Sequence, residues 1–402
     1  MPALVSVTAS GSSAPSPRVV IVGAAGFTNL GDDAILRAML AELRRVLPGP
    51  AFIVAGGPHP VAEPGIEWIH VRDIRAVDAA IARSDLVIVG GGGFIYDYDA
   101  ILTPRDYFRG DITFMYPYFR AAQAASARGV PLYFYAVGVD SLVTPVGRAF
   151  ARDVLSLASA ITVRDELSLL EVRRAGVDPA LVEVTADPAV TAGTAADEWR
   201  ERPLGRVVVF VTRPWLRWAG TWTPSASQLY DTYVGWLASA ADHAAEAWDA
   251  TPVFLPGQRY NDDDLETAAE VVARMSAGGR ARLVHEVTDD EQYRAALASA
   301  DAVVSSRLHP VILACNGDVP VVGVAITEKV RAFFLALGIS EQLISPWAAC
   351  SKQVRDALDR ALGEPDPIRA RVQTGLARQR SAAARNPVVA RELLALSSAR
   401  AR

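Results

Sequence analysis

The segment RVVIVGAAGFTNLGDDAILRAMLAEL, residues 18–43, joins an apolar run to an amphipathic helical pattern through a glycine-rich turn. Residues 19–22 are all β-branched, which is typical of a strand that is buried on both faces. From about Asp32 onward, apolar residues recur at helical spacing. A buried strand, a turn and a helix in this order predict the first half of a βαβ unit.

The same alternation of short apolar runs and helical stretches continues in two series, separated by a turn-rich stretch at 191–205. It predicts an α/β fold with two Rossmann-type domains, at 18–195 and 206–345, and a cleft between them. The length of 402 residues also favours more than one domain. The predicted strands lie at 19–22, 51–57, 85–93, 130–139, 158–165 and 181–190, then at 206–214, 251–257, 281–287, 301–306 and 319–325, with helices near 113–128, 143–157 and 166–175.

The two ends of the chain differ from this body. Residues 1–17 are small, polar and proline-containing, and we expect a disordered tail there. Residues 351–402 are expected to form a helical tail with 11 Lys/Arg and 5 Asp/Glu, a balance of 11 − 5 = +6. This tail either contacts anionic lipid or a pyrophosphate-linked acceptor, or acts as a brace across the domains; the brace is the favoured interpretation.

Composition excludes several classes of protein. The net charge of −5 offers no basic field for nucleic acid. The 2 cysteines and 5 scattered histidines do not form a metal or disulfide pattern. No secretory signal or transmembrane run is present, which predicts a cytoplasmic protein, with the inner membrane face reached only through the tail. Among 40 basic residues, lysine occurs only at Lys329 and Lys352.

Loops that follow strands are where a ligand is expected, because open parallel sheets bind ligands beyond the carboxyl ends of their strands. The first such loop, residues 23–33, matches neither the dinucleotide fingerprint nor the P-loop. Asp32 either caps the helix or faces a ligand. Asn29 has no evident capping role at this spacing, so we expect it to bind a ligand.

The third predicted strand, at 85–93, ends in four glycines at 90–93, which precede Tyr96 and Asp97. Glycines let a ligand approach the backbone closely, and a plain tight turn rarely needs four of them. We therefore expect a ligand at this loop, with Tyr96 and Asp97 holding sugar hydroxyls.

Two arginines follow strands in positions from which they can reach the cleft. Arg164 precedes a helix that Asp165 would cap, and it either binds an anion or forms an ordinary surface pair. Arg213 ends the first strand of the second domain. The tryptophans after it, beginning with Trp215, either form a face for a sugar ring or belong to the local core.

Two adjacent strands of the second domain carry the strongest signal. Arg307 and His309 follow the strand at 301–306, and Lys329 follows the strand at 319–325. Neighbouring strand ends can bring these side chains into one pocket. Two fixed cations with a titratable imidazole suit a substrate that carries carboxylate and phosphate groups.

Several of these segments resemble the polysaccharide pyruvyl transferase family over about residues 18–345, and FVTRPWLRW (210–218) is most similar to its cell-wall polysaccharide, CsaB-type branch. The combination is more specific than any single motif. The other matching segments, in the family's order, are GAAGFTNLGDDAIL (23–36), GGGFIYD (91–97), ITVRDELS (161–168), ADPAV (186–190), SSRLHPVILA (305–314) and PVVGVAITEKVRAFFLALG (320–338).

The resemblance implies a GT-B-like fold and transfer of pyruvate from phosphoenolpyruvate (PEP) to a sugar as a ketal, without a metal or nucleotide cofactor. The first domain would take the sugar or lipid-linked glycan acceptor, and the second domain would take the donor. The implied donor site is Arg307, Leu308, His309 and Lys329, and the implied acceptor contacts are Asn29, Asp32, Gly92, Tyr96 and Asp97. From their places after strands, Arg213 and Arg164 are expected as further anion contacts and Trp215 as a further acceptor contact.

On this reading His309 is the general acid, because histidine titrates near neutral pH. Arg307 and Lys329 would bind the carboxylate and phosphate, and Asp32 or Asp97 would position or deprotonate a sugar hydroxyl. Two alternatives remain open. One is a GT-B glycosyltransferase with a nucleotide-sugar donor, for which Glu328 is the nearest ribose-binding candidate. The other is a non-catalytic sugar-binding protein of the same fold.

Overall fold

The computed structural model describes residues 16–97, 115–195, 199, 203, 205–215, 224–258, 264–346 and 351–400. Within these ranges the chain forms two parallel β-sheets with helices against both. The expected tail at 1–17 falls almost entirely outside the described residues. Trp218 and Trp222, which follow Trp215 in the sequence, also lie outside them. The fold is the predicted two-domain α/β architecture, while the domain limits at 195 and 206 stay predictions.

The first sheet has 7 strands in the order β3-β2-β1-β4-β5-β6-β7, all paired in parallel. β3 was missed by the sequence pattern because it is a half-exposed edge strand without a continuous apolar run. The run predicted at 181–190 forms only a short strand, since Pro188 opens a 3₁₀ turn there. The strands are β1 (Arg18–Val22), β2 (Ala51–Gly56), β3 (Ile66–His70), β4 (Leu86–Ile95), β5 (Leu132–Val139), β6 (Ala160–Val163) and β7 (Val182–Val184).

The second sheet has 6 parallel strands in the order β10-β9-β8-β11-β12-β13. The run predicted at 281–287 pairs only at its first residues, and β13 was not predicted. The order of both sheets reverses beside the first strand of each, which places the ligand crevice there. The strands are β8 (Arg206–Val211), β9 (Ala250–Phe254), β10 (Arg282–Leu283), β11 (Ala302–Ser305), β12 (Val321–Val324) and β13 (Leu343–Ile344).

Helices follow most strands, as the alternating pattern predicted. The first begins at Leu30, earlier than the sequence pattern indicated, because Asn29 caps it. The helices are α1 (Leu30–Val46), α2 (Ile74–Ala82), α3 (Tyr116–Ala127), α4 (Pro145–Leu155), α5 (Glu166–Ala175), α6 (Pro224–Ala247), α7 (Asp264–Arg274), α8 (Asp290–Ala298), α9 (Leu308–Asn316), α10 (Glu328–Leu337), α11 (Ser351–Gly363), α12 (Pro365–Ala383) and α13 (Arg385–Arg400).

The last three helices return the chain from the second domain to the first. α11 packs on α6, α12 packs against α10, and α13 packs on α1 beside β4 and β5. Asn386 at the start of α13 is fully buried, and its side-chain oxygen accepts a hydrogen bond from Thr185 at 2.8 Å. This packing supports the brace interpretation of the tail. None of the described helices has the length and apolar character to cross a membrane.

One apolar cluster joins the two domains. It contains Val19 of β1 together with Val209 of β8 and Val303 of β11, all fully buried. Arg37 of α1 adds an ion pair with Asp290 of α8, with 2.7 Å between Nε and Oδ1. A shared apolar interface of this kind restricts relative domain motion, so groups from both domains can hold a fixed geometry.

Candidate active site

The loop after β1 touches the second domain directly. The Leu30 amide donates to the Gly257 carbonyl at 3.2 Å, and Asn29 forms an isolated antiparallel bridge with Gln258. The carboxyl end of the first sheet therefore meets the carboxyl side of the second. This junction is where side chains of both domains converge.

His309 stands in the first turn of α9 and packs onto the loop after β1. A Cβ at Gly31 would lie 2.3 Å from His309 Nδ1, so only glycine leaves room for the ring. Nδ1 lies 3.8 Å from Asp32 Oδ1, and Nε2 lies 3.8 Å from Asp187 Oδ2. Both distances are too long for hydrogen bonds, and the contacts become ion pairs when the imidazole carries a proton. An imidazole of the second domain thus lies between two carboxylates of the first.

Arg164 follows β6 and its guanidinium is buried beside the same carboxylate. Its Nη1 donates to Asp187 Oδ2 at 3.0 Å, and its Nε lies 3.5 Å from Asp165 Oδ2. A Cβ at Gly93 or Gly138 would come within 2.9 Å or 2.5 Å of the guanidinium. Arg164 is therefore buried at the junction, and the alternative of an ordinary surface pair is wrong.

The glycine run at 90–93 lies within β4, and most of it makes room for the protein's own side chains. Gly93 makes room for Arg164, and a Cβ at Gly91 would lie 2.5 Å from Met39 Sδ. Gly92 differs, because it faces Asp32, whose Oδ1 would be 3.4 Å from an added Cβ. The prediction was that the whole run opens the backbone to a ligand. It now stays a prediction for Gly92 alone.

Lys329, the lysine singled out by the sequence, lies partly buried in the first turn of α10. Burial lowers the pKa of Lys329 to about 8, and the charges of Arg213 and Arg164 act in the same direction. The carboxylates of Asp140 and Asp32 oppose that shift. Lys329, Arg213 and Arg164 are therefore near enough for their charges to act on one another, and such a group of cations is suited to a multiply charged anion.

The two carboxylates beside His309 differ in their proton affinity. Burial raises the pKa of Asp32, although the charges of His309, Lys329 and Arg164 act to lower it. Burial alone would also raise the pKa of Asp187, but the adjacent His309 and the charge of Arg164 hold it well below its usual range. Asp187 is thus a fixed anion, whereas Asp32 is the better candidate for accepting a proton.

Several of the buried polar atoms that have no hydrogen-bond partner in the described part of the chain belong to residues of this junction. Native proteins leave few such atoms, so a group of them indicates where a polar ligand would bind. Those near the junction are Thr28 Oγ1, Asp140 Oδ2, Arg164 Nε, His309 Nε2 and Thr327 Oγ1.

Arg307 differs from the expectation that it shares a pocket with His309 and Lys329. Its Nε and Nη2 donate to Asp264 at 2.7 Å and 2.6 Å, so the edge that would grip a carboxylate or phosphate is occupied. Leu308 was also expected in the donor site. Its side chain is buried in the apolar cluster between the domains.

Three residues expected at the acceptor make structural contacts within the protein. Asn29 caps α1, where its side-chain oxygen accepts a hydrogen bond from the Gly31 amide at 3.2 Å. Asp97 is buried and accepts from the amides of Val143 and Thr144. Trp215 packs edge-to-face on a buried tyrosine, so for this tryptophan the core alternative is correct. Tyr96 lies half-buried at the end of β4.

The sequence reasoning gave no role to Asp187, Asp140 or Asp264. Asp187 lies in the quoted segment ADPAV and Asp140 follows the strand that ends at Val139, so both follow strand ends. That position was the available signal. For Asp264 the sequence offered no such signal, because its role is evident only from its contact with Arg307 in the structure.

Comparison with known proteins adds a family and a fold. The profile of the family described as polysaccharide pyruvyl transferase matches residues 29–328. A search of curated protein sequences found none that matches the chain.

Solved structures with a similar fold are sugar-nucleotide enzymes and related proteins. A candidate UDP-N-acetylglucosamine 2-epimerase from Listeria monocytogenes is 14% identical, with a TM-score of 0.61 over 92% of this chain and 94% of that one. Anabaena HepE, solved with UDP and glucose, is 13% identical, with a TM-score of 0.57 over 95% and 99%. Another UDP-N-acetylglucosamine 2-epimerase is 11% identical, with a TM-score of 0.59 over 93% and 94%. These similarities establish the GT-B-like fold.

Proposed function

The chain belongs to the polysaccharide pyruvyl transferase family, and on that premise we propose that it transfers the enolpyruvyl unit of PEP to a sugar of a cell-surface polysaccharide or its lipid-linked precursor. The observation that carries the proposal is that His309 and Arg164 both lie against Asp187, while the charge of Lys329 acts on Asp32 at the other side of the imidazole. An acid, a compact cation and a guanidinium are the groups that protonation and binding of PEP require.

The donor would lie among the cations of the junction. Lys329, Arg164 and Arg213 offset the charge of its carboxylate and phosphate. Asp264 occupies the Nε and Nη2 edge of the Arg307 guanidinium. Arg307 would therefore contribute at most through Nη1, which has no hydrogen-bond partner in the described residues. We therefore assign the main anion contacts to Lys329 and Arg164 rather than to Arg307.

The chemistry consists of one protonation and two additions. A proton from His309 goes to the methylene carbon of PEP, and one sugar oxygen adds to the neighbouring carbon. The carbon–oxygen bond to phosphate then breaks as the second sugar oxygen adds, which closes the ketal. One hydroxyl proton restores His309, and the other leaves with the phosphate, so no oxidant and no resident cofactor is involved.

The acceptor would approach from the first domain. Asp32 faces His309 and Gly92, and its raised pKa suits a group that takes a proton from a sugar hydroxyl. Asp97 is not assigned this role, because amides of the chain already occupy its carboxylate. Tyr96, at the end of β4, is retained as an acceptor contact.

A nucleotide-sugar donor is less well supported by the site. Its expected ribose-binding carboxylate, Glu328, is 53% exposed and forms an ion pair with Arg331 on the surface of α10. The fold alone suits either donor, so the cation group and the family carry the choice of PEP.

The test incubates the purified chain with PEP and with sugar acceptors or extracted lipid-linked glycans. We expect phosphate release that depends on the acceptor, together with an acceptor mass increased by one pyruvyl ketal. H309A is the control. Saturable binding of UDP-sugars or GDP-sugars with no response to PEP would favour the glycosyltransferase, and absence of both responses across acceptors would favour a binding protein.

A further inference from the structure

Asp187 is the buried group of the junction that the mechanism above leaves without a role. It caps the 3₁₀ turn Pro188–Thr191, where its Oδ1 accepts a hydrogen bond from the Ala189 amide at 3.0 Å. Its Oδ2 points the other way and lies 3.0 Å from Arg164 Nη1 and 3.8 Å from His309 Nε2. One carboxylate oxygen therefore secures the turn, while the other faces a group from each domain.

The His309 ring has few other constraints on its orientation. Gly31 lies against the ring, and Asp32 lies beside Nδ1. Nε2 is buried and has no hydrogen-bond partner among the described residues, so Asp187 Oδ2 is its charged neighbour. The other charged groups close to this set are Arg164, Asp165, Lys329, Asp140 and Arg213.

We propose that Asp187 is a positioning residue for the transfer reaction, whose carboxylate aligns the His309 imidazole of the second domain with the Arg164 guanidinium of the first. This rests on the proposed function. Asp187 touches neither substrate in the proposal and acts through His309. Its anchoring to the Ala189 amide keeps the carboxylate in place when the donor binds.

The chain contains a matched control for this residue. Asp178-Pro179-Ala180 repeats the Asp-Pro-Ala sequence of Asp187, and its carboxylate accepts a hydrogen bond from the Ala180 amide at 2.9 Å. Asp178 is exposed, and no ion pair joins it to another described residue. The two aspartates therefore have the same local structure and differ in what the second oxygen faces.

The first experiment compares D187N with D178N. Asparagine retains an oxygen for the turn and loses the charge. We expect D187N to lower kcat about 10- to 100-fold, as for groups that orient a catalytic residue. The KM for PEP should stay or fall, because a negative charge near the anion site is removed. D178N should leave both constants unchanged. A D187N enzyme with wild-type kcat, or with an increase in KM alone, would overturn the proposal.

D187E tests whether the charge or the packing matters. If the charge aligns His309, D187E retains more kcat than D187N. Equal losses in the two variants would assign Asp187 a purely structural role. Thermal unfolding of all three variants shows whether the folded state is retained.

A second measurement does not depend on PEP chemistry. The chain has 5 histidines, so the ring nitrogen signals of His309 in an NMR spectrum can be assigned by their loss in H309N. We expect these signals to shift in D187N and to stay in place in D178N. Unshifted signals in D187N would overturn the positioning role even if the enzyme is active. Shifted signals in a chain that ignores PEP would instead refute the proposed function while the alignment stands.

Discussion

Two buried arginine–aspartate pairs lie near the junction of the domains, and they differ in how completely they are satisfied. In the pair Arg307–Asp264, the carboxylate accepts two bonds from the guanidinium and one each from the amides of Gly257 and Gln258. In the pair Arg164–Asp187, a single hydrogen bond joins the two side chains, and Arg164 Nε has no hydrogen-bond partner in the described ranges.

The difference separates a structural pair from a functional one. Asp264 holds the turn at 257–258 that contacts the first domain, and its bonding capacity is used up. Arg164 retains unused donor capacity, and Asp187 lies beside His309. Buried polar groups that are fully bonded stabilise a fold, whereas partly bonded ones at a junction are available to a ligand.

The largest expected effect is at His309, which lies beside the incompletely bonded pair Arg164–Asp187. H309A should lower turnover by about 10²- to 10⁴-fold, because it removes the proton donor for the methylene carbon. The fold and PEP binding should persist, since Lys329 and Arg164 remain. Steady-state kinetics and calorimetric PEP binding check this, and near wild-type turnover would remove His309 from the mechanism.

The next effect tests the fully bonded pair Arg307–Asp264, which we call the saturated pair. R307A should reduce the free energy of unfolding by about 3–5 kcal/mol, because it leaves the buried Asp264 carboxylate without its cation. Chemical denaturation measures this loss.

A matched control is R331A, which breaks the exposed pair of Arg331 with Glu328. Exposed pairs contribute about 0–1 kcal/mol, so this variant should be nearly as stable as the wild type. Equal stabilities of R307A and R331A would contradict the structural role of the saturated pair.

A third prediction concerns the pH dependence of donor binding at Lys329, on whose pKa Arg164 of the incompletely bonded pair acts. Lys329 is a cation below its pKa of about 8 and neutral above it. Since the cation attracts PEP, KM for PEP should rise about tenfold for each pH unit above that value. K329R keeps the charge, so its KM should stay flat over the same range. A wild-type KM that does not change with alkaline pH would exclude Lys329 from donor binding.

The smallest effect is at Asn29, whose loop contacts the turn at 257–258 that Asp264 holds. N29A should cost about 1 kcal/mol through loss of the helix cap, while N29S, which can still cap, should be close to the wild type. Equal stability of the two variants in denaturation would contradict the capping role. A raised KM for acceptor in N29S would restore the binding role that the sequence suggested.

Most of the architecture could be predicted from periodicity. The buried strands β1, β4 and β8 are continuous apolar runs and were recognised as such. The edge strand β3 was missed because it is half-exposed and its residues do not form an apolar run.

The candidate site was only partly predictable. His309 and Lys329 stand at neighbouring strand ends, so a local rule finds them. The same rule was misleading for Asp97. It follows a strand, but its carboxylate accepts hydrogen bonds from backbone amides of the protein.

The sequence by itself determined the alternation of strands and helices, the family, and the strand ends at which His309, Arg164 and Lys329 lie. Only the tertiary structure decided that Arg307 pairs with Asp264, and that Asp32 and Asp187 flank His309. The physical reason is that local patterns control burial and backbone geometry, whereas the partner of a charge depends on groups brought together from distant segments and from both domains.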